Sequence, residues 1–536
     1  MYCVDVTCQY FSPCIISRYK MASDKVEMES ELPDRIAETF SDQTVFITGG
    51  TGFMGKVLVE KLLRKCPDIR EIVLLVRKKK GICPKERLQQ IFSGPLFAKV
   101  SALRGGVDQL LSKVRVIDGD VSEADLAMSN DSRQYIIDNV DIVVHAAATI
   151  RFDEALKKAI LLNVRGTKLI LNLAKECKKL KLFVHISTAY CHLHEKLLEE
   201  KPYDPPADPH KILAAAELFD HDTFESITPK LLNDLPNSYA FTKALSEALA
   251  VEAMGQIPVI ILRPSIVIPI WREPLPGWTD NLNGPTGLLI GAGKGVIRSM
   301  YCRSNSYADY LPVDVFINGI MMAAWNYIKR GDKETTIYNF TSSAEVKITW
   351  TELIETGREI ILNRVPLNGV VWYPGGSMKH SRLSHNICAI LFHWIPAVLV
   401  DTLLIILRYE PVLLRVHRRI SKGFDVFEYY TNNQWDFKSD AGQRVRKNLN
   451  AREKEDYKFD AVGVNISNYF EDCIRAARVY MLKETDDTIP AAKRHMKIMR
   501  TVDIIVRFLF IGFIMWTLWR WTSMIFSTKT EHLQIM

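Results

Sequence analysis

The chain has 536 residues, 48% hydrophobic and 24% charged, with 27 Gly and 23 Pro, a globular composition that excludes a disordered, collagenous or low-complexity protein. Its net charge of +7 favours anionic ligands or an anionic membrane surface. With no basic stripe interleaved with aromatics and no zinc-finger spacing, nucleic acid is not an expected partner.

Residues 1–40 read as an N-terminal extension expected to be disordered. Its first 20 residues lack the basic start and apolar run of a secretory signal, and MASDKVEMES from Met21 reads as a second start site. Thr44–Thr48 then reads as a short buried strand. It leads into a glycine turn and a helical pattern over Lys56–Lys65. Further strands are expected at Ile72–Val76, Val114–Ile117, Val140–His145, Phe183–Ile186 and Val259–Leu262, with helical stretches between them, for instance Ala155–Ala174. Strands alternating with helices predict an α/β fold: a Rossmann-like, doubly wound parallel sheet covered on both faces. Pro269–Gly295, rich in Pro and Gly, is expected to be a substrate-side loop. The reductase-type domain is drawn over 41–365. A mainly helical C-terminal domain follows over 380–480, then an apolar tail over 504–526.

Thr48–Gly55 reads TGGTGFMG. Gly49, Gly52 and Gly55, with Phe53 opening the helix, let the backbone approach a pyrophosphate whose charge sits on the helix N-terminus. After the second strand comes Arg77, where an NAD site usually carries Asp or Glu. An arginine there accommodates a 2′-phosphate, so NADPH is the expected cofactor. The following Lys79 and Lys80 read as a solvated run. Asp120 and Val121, after the third strand, and Ala146 in HAAA, after the fourth, are expected to flank the adenine and ribose.

Asn237–Lys243 reads NSYAFTK, which places Tyr239 and Lys243 one turn apart on one helix face. The ammonium favours phenolate, so a lowered tyrosine pKa is expected, with the phenol donating a proton to an oxyanion. In VHISTAY, Thr188 is the first choice and Ser187 the second for a hydroxyl at the reacting oxygen. Asn163 is read either as support for a relay water or as a structural amide. The ten cysteines include no C-x-x-C pair, which argues for a reducing compartment and against a thiol zinc site. Cys191-His192-x-His194-Glu195 looks metal-like, but the proposed chemistry needs no metal and none is assigned. The sequons at Asn339 and Asn465 are expected to be silent. Arg298 and Arg303 are weighed as partners for a nucleotide phosphate, with a structural role preferred.

These motifs resemble the extended short-chain dehydrogenase/reductases, and more specifically the eukaryotic fatty acyl-CoA reductases. The carrying segments are TGGTGFMGKVLVEKLLR, Gly284–Gly295, Ala308–Asp314, Tyr338–Ser343 and His393–Ala397, and the resemblance covers about residues 35–480. The C-terminal part resembles that family's male-sterility-type domain, although the Trp usual after the Phe-Asp pair (here Phe459-Asp460) is missing. The resemblance implies reduction of a long-chain acyl-CoA to a primary alcohol with two NADPH, through a bound aldehyde. Tyr239 and Thr188 would serve the oxyanion and Lys243 also the nicotinamide ribose. A hydroxysteroid dehydrogenase, a sugar-nucleotide epimerase and a non-catalytic NADPH-binding membrane scaffold are the rival readings. Ile504–Phe526 is long enough to span a bilayer and is expected to be a tail anchor in membrane lipid. Its basic lead-in, Lys493, Arg494, Lys497 and Arg500, puts catalysis on the cytosolic side, at the ER or peroxisomal membrane by family resemblance. Ile387–Leu407 is read as a buried or membrane-surface helix. No oligomeric state is assigned.

Overall fold

The structure, a computed structural model, describes residues 32–78, 81–281, 284–343 and 345–534, with side chains as far as Ser523. The expectations for residues 1–31 and for Lys79 and Lys80 lie outside the described residues. The chain forms two compact units.

The first unit holds the described residues up to Leu275, with Asp309–Lys347 and Trp435–Gly463. At its centre is a seven-stranded sheet: β1 (Thr44–Thr48), β2 (Glu71–Val76), β3 (Val114–Asp118), β4 (Ile142–His145), β5 (Leu182–Ile186), β6 (Val259–Pro264) and β7 (Ile337–Phe340). The order is β3-β2-β1-β4-β5-β6-β7, and every neighbour pair is parallel. β1, β4, β5, β6 and β7 are buried at every position, as continuous apolar runs covered on both faces must be. β3, at the edge of the sheet, is buried only at Val114 and Ile117. The strand order reverses at β1, so the crevice beyond the carboxyl ends of β1 and β4 is where a doubly wound sheet places ligands. The helices that matter for that crevice are α1 (Phe53–Lys65), α2 (Pro84–Phe92), α3 (residues 156–176), α4 (Ser238–Ala253) and α5 (Val313–Ile328).

Three sequence expectations change here. β7 was not anticipated; it extends the sheet beyond β6 with Phe340 opposite Pro264. Residues 32–40, read as part of a disordered extension, include a helical turn at Arg35–Glu38, with Ile36 and Phe40 buried. Arg35 is paired with Glu453. Residues 435–463, assigned by sequence to the helical domain, belong to the sheet unit. Trp435 Nε1 donates to the Leu193 carbonyl at 2.9 Å, and Asp436–Phe437 pairs with Leu197–Leu198. The sequon residue Asn339 lies buried in β7, its amide donating to the Leu198 and Lys438 carbonyls.

The second unit comprises Pro276–Ala308, Ile348–Gln434 and the chain from Val464. Its core gathers Ile360, Ile361, Val365, Leu367, Val370, Ile474 and Met496. The segment expected as a substrate loop carries a helix at Pro285–Gly293. Gly295 adopts φ +76°, and a Cβ there would lie 1.9 Å from the Trp372 carbonyl oxygen, so this turn needs glycine. Three longer helices follow: α6 (Arg382–Ile406, with a π-helical turn at Ile390–Trp394), α7 (Leu413–Asn432) and α8 (Ile489–Gln534). By length and composition, α6 and α8 are apolar enough to cross a membrane. Neither is a core helix: 17% of the apolar window of α6 is buried and 6% of that of α8. Arg298 takes the structural role: its guanidinium donates to the Tyr373 carbonyl at 2.7 Å and pairs with Asp503 at 3.5 Å.

Candidate functional site

The glycine turn sits between β1 and α1. Gly49 has φ +75°, and a Cβ there would lie 2.8 Å from Ala147 N and 2.9 Å from the Ala146 carbonyl. A Cβ on Gly55 would lie 2.2 Å from the Gly49 oxygen. The turn is therefore pressed against the end of β4 on one side and its own helix on the other, and only glycine fits either position. Gly52 caps α1 with no side-chain hydrogen bond to the helix start, the kind of helix N-terminus that suits an anion. Thr48 stitches the two strand ends: its hydroxyl accepts from Ala147 N at 3.2 Å and bonds His145 Nδ1 at 2.8 Å. Burial drives the His145 pKa down to about 3, so the ring is neutral, with Nε2 3.0 Å from the Thr167 hydroxyl.

At the end of β2, Arg77 is more than half exposed and lies 3.5 Å from Asp120. Asp120 Oδ1 accepts from Ser122 N at 3.0 Å, which fixes the turn after β3. Val121 is buried, its carbonyl oxygen 2.9 Å from where a Gly166 Cβ would be. The sequence reading missed Arg87. From α2 it donates to the Arg77 carbonyl at 3.2 Å and to the Thr51 hydroxyl at 2.9 Å. Burial, followed by the Arg77 charge, lowers its pKa. The Arg87 guanidinium thus sits against the turn, with the Arg77 charge near enough to depress its pKa. Only the ten-residue separation of Arg77 and Arg87, one ending a strand and one in the next helix, hinted at it.

Asn237 begins α4, its side chain accepting from Ala240 N at 2.9 Å, and Ser238 Oγ donates to the Glu154 carbonyl. These bonds set the helix start, and with it Tyr239. The Tyr239 ring packs edge-on to Phe152 at 5.3 Å, and its hydroxyl hydrogen-bonds with Thr188. Lys243 is buried one turn on, and its Nζ donates to the Ile186 carbonyl at 2.6 Å. The structure thus brings Thr188, Tyr239 and Lys243 together at the end of β5. The expected lowering of the tyrosine pKa is corrected. Burial pushes the Tyr239 phenol up to about 12, against the Thr188 hydrogen bond, and pushes Lys243 down to about 8. Desolvation decides the direction, only the Thr188 hydrogen bond opposes it, and the phenol is protonated at neutral pH.

One second-choice expectation and one open alternative remain. Ser187 Oγ is turned into the protein, donating to Glu247, and does not join Thr188 at Tyr239. Asn163 is a structural amide. Its Oδ1 accepts from Thr149 N at 2.8 Å and its Nδ2 donates to the Thr242 hydroxyl at 2.9 Å, inside a π-helical turn at Ile160–Arg165.

Behind Thr188 lies a buried cluster that the sequence reading did not find. Arg263, at the end of β6, donates to Glu247 at 2.6 and 3.1 Å and to the Glu199 and Lys201 carbonyls. His192 Nε2 lies 2.9 Å from the same carboxylate. Burial alone would raise Glu247; the Arg263 guanidinium and His192 hold it well below the usual carboxylate range. Ligand atoms of Cys191, His192 and Glu247 lie within 4.8 Å of one another, but Glu247 is already neutralised by Arg263. His194 is exposed and Glu195 half-buried, and the two lie 3.5 Å apart. The available signals were a glutamate one turn after Lys243 and an arginine inside the apolar run VIILRP, since a charge in a buried strand needs a partner.

Two family models, both described as male sterility protein, match residues 47–320 and 392–484. A fatty acyl-CoA reductase 1 from Xenopus laevis is 37% identical over 467 residues, 87% of this chain and 90% of the relative. The fatty acyl-CoA reductase wat of Drosophila melanogaster is 33% identical over 507 residues, 94% of this chain and 97% of the relative. Among solved structures, the terminal R domain of the myxalamid PKS-NRPS pathway is similar, with a TM-score of 0.54 at 17% identity. The match covers 85% of this chain and 98% of that one; at this identity the likeness speaks for the fold alone.

Proposed function

Since the chain belongs to the fatty acyl-CoA reductase family, we propose that it reduces long-chain fatty acyl-CoA to the primary alcohol and free CoA. The observation that carries this reading is the grouping of Thr188, Tyr239 and Lys243 at the end of β5, in the sheet unit whose glycine turn opens α1.

The residues present fit a dinucleotide. The turn leaves no room for a Cβ at Gly49 or Gly55, which lets the backbone approach a pyrophosphate at the start of α1. Asp120, Val121 and Ala146 border the adenosine side, and Lys243 is the residue for the nicotinamide ribose. Arg77 and Arg87 together favour NADPH, because paired guanidinium groups suit a 2′-phosphate better than a bare ribose hydroxyl. Bound there, the cofactor supplies hydride, once for thioester to aldehyde and once for aldehyde to alcohol.

The chain's own residues handle the proton. Tyr239, protonated well past neutral pH, donates to the oxygen that gains charge as the acyl carbon is reduced. Thr188 hydrogen-bonds the phenol and fixes its direction. Lys243, charged below about pH 8, keeps positive potential beside that oxygen. Overall, one acyl-CoA, two reduced cofactors and two protons give one alcohol, one CoA and two oxidised cofactors. No acyl-enzyme is required.

In this reading α8 anchors the protein in a membrane, with catalysis facing the cytosol because Lys493, Arg494, Lys497 and Arg500 precede the apolar stretch. Fractionation of cells into ER and peroxisomal membranes tests the location. The test of function is product analysis of the purified protein with acyl-CoAs of several chain lengths and either NADPH or NADH. Fatty alcohol and CoA in equal amounts, at the cost of two NADPH each, are expected. Release of aldehyde as the end product, or acyl-CoA left unconsumed, overturns the reading.

A further inference from the structure

Helix α6 is inside out. Its buried stripe is His393, Ala397 and Asp401, spaced four apart and 4%, 0% and 2% exposed. Its open faces carry leucine, isoleucine, valine and phenylalanine: Leu399 is 65% exposed, Leu403 54% and Ile406 71%. A helix in water shows the opposite pattern, and a contiguous open apolar face of this length marks a contact with something apolar.

The polar stripe has partners inside the second unit. The Asp401 carboxylate accepts from the N–H groups of Val412, Leu413 and Leu414 at 3.0, 2.9 and 2.8 Å, so it caps α7 at the point where the chain reverses. His393 stacks on His417 at 5.2 Å, and His385 meets Phe424 at 5.9 Å. α6 and α7 therefore run antiparallel as a hairpin, with Leu414 beside Asp401 and Phe424 beside His385.

That register decides between crossing a bilayer and lying in its surface. α6 alone, about 37 Å long at 1.5 Å per residue, could cross. Its partner could not. Arg415, Arg418, Arg419 and Lys422 are exposed along α7, level with the middle of α6, and a crossing hairpin would carry four cations into hydrocarbon. Lying flat, the hairpin gives the apolar face of α6 to acyl chains and the cations of α7 to anionic headgroups. A second apolar helix starts from the same footing: Arg298 donates its backbone N–H to His393 Nε2 at 2.8 Å, and its guanidinium pairs with Asp503 of α8 at 3.5 Å.

We infer that the α6–α7 hairpin is a membrane-surface element that inserts its apolar face into one anionic leaflet, separately from the anchor formed by α8. The inference holds whether or not the chain reduces acyl-CoA.

The full-length chain in nanodiscs, with a phospholipid carrying a photoreactive diazirine in its acyl chain, tests it by peptide mapping of the cross-links. Cross-links are expected on residues 395–407 as well as 504–523, the former several-fold stronger when phosphatidylserine is present. In Leu399→Glu/Leu403→Glu, α8 should keep its cross-links while 395–407 lose theirs. In Arg415→Glu/Arg418→Glu/Arg419→Glu, the phosphatidylserine dependence should vanish. Both variants alter exposed positions, and the α8 cross-links report that the protein is still folded and embedded. The inference fails if α8 is labelled and α6 is not, or if a second copy of the chain cross-links over α6. It fails equally if acyl-chain cross-links run through residues 415–422, because the hairpin would then cross.

Discussion

The end of β5 and the surface of α6 obey one rule in opposite solvents. In the sheet unit, the central strands are sealed on both faces, and most of the charged groups that remain inside are paired, although both ring nitrogens of buried His185 are not. Glu247 meets Arg263, Lys243 meets a carbonyl, and His145 is neutral between two hydroxyls. In α6 the buried stripe is again polar and again paired, but the apolar residues face out. Buried polarity without a partner is costly in both regions. What differs is the medium expected outside: water around the sheet unit, lipid around α6. Exposure is therefore read together with what lies buried behind it: apolar strands in the sheet unit, a polar stripe in α6.

The comparison can be broken first where buried polarity is chemical. Tyr239→Phe keeps the ring against Phe152 and removes the proton donor. Alcohol formation should fall by about 10²–10⁴-fold, with cofactor affinity, read by fluorescence titration, nearly unchanged. If turnover survives, Tyr239 is structural. Next is Arg77→Glu. Losing one charged partner of a phosphate costs about 1.5–3 kcal/mol, so kcat/KM with NADPH should drop about 10- to 150-fold while that with NADH holds or rises. Wild-type enzyme that uses both cofactors equally would remove the role of Arg77.

pH sharpens the comparison. Lys243 is pushed down to about 8 by burial and Tyr239 up to about 12. In the free enzyme Lys243 is charged below pH 8 and neutral above it, while Tyr239 stays protonated throughout. Reduction should therefore show kcat/KM falling about tenfold per pH unit above pH 8. Lys243→Arg should move that limb upward if the variant retains activity. A fall that begins only near pH 10 would mean that Lys243 is not the titrating group. The smallest effect belongs to the second unit. Asp401→Ala removes the cap of α7 and should cost about 0.5–2 kcal/mol, read as a lower Tm in detergent. Leu403→Ser, on the open face, should leave Tm nearly unchanged.

Much of the sheet unit was legible before any coordinates. Glycine spacing, strand alternation and Y-x-x-x-K are local patterns, and each maps onto one turn, strand or helix face. The rest depends on what lies across space. That Ser187 turns inward and Thr188 outward is decided by Glu247, sixty residues on. The raised phenol pKa follows from burial, which spacing does not report. Arg87 needed the fold of α2 over the glycine turn. α6 read as an apolar run from its composition, but that its buried face would be the polar one could not be seen without α7 beside it.

The interleaving of the two units has a consequence for biosynthesis. Trp435–Gly463 completes the sheet unit, and it leaves the ribosome only after most of the helical unit has been made. Arg35, near the start of the described chain, waits for Glu453. Such long loop closures slow folding, and the sheet unit stays unfinished while α6 emerges. The cell must therefore shelter an incomplete enzyme and an exposed greasy helix on one nascent chain at the same time.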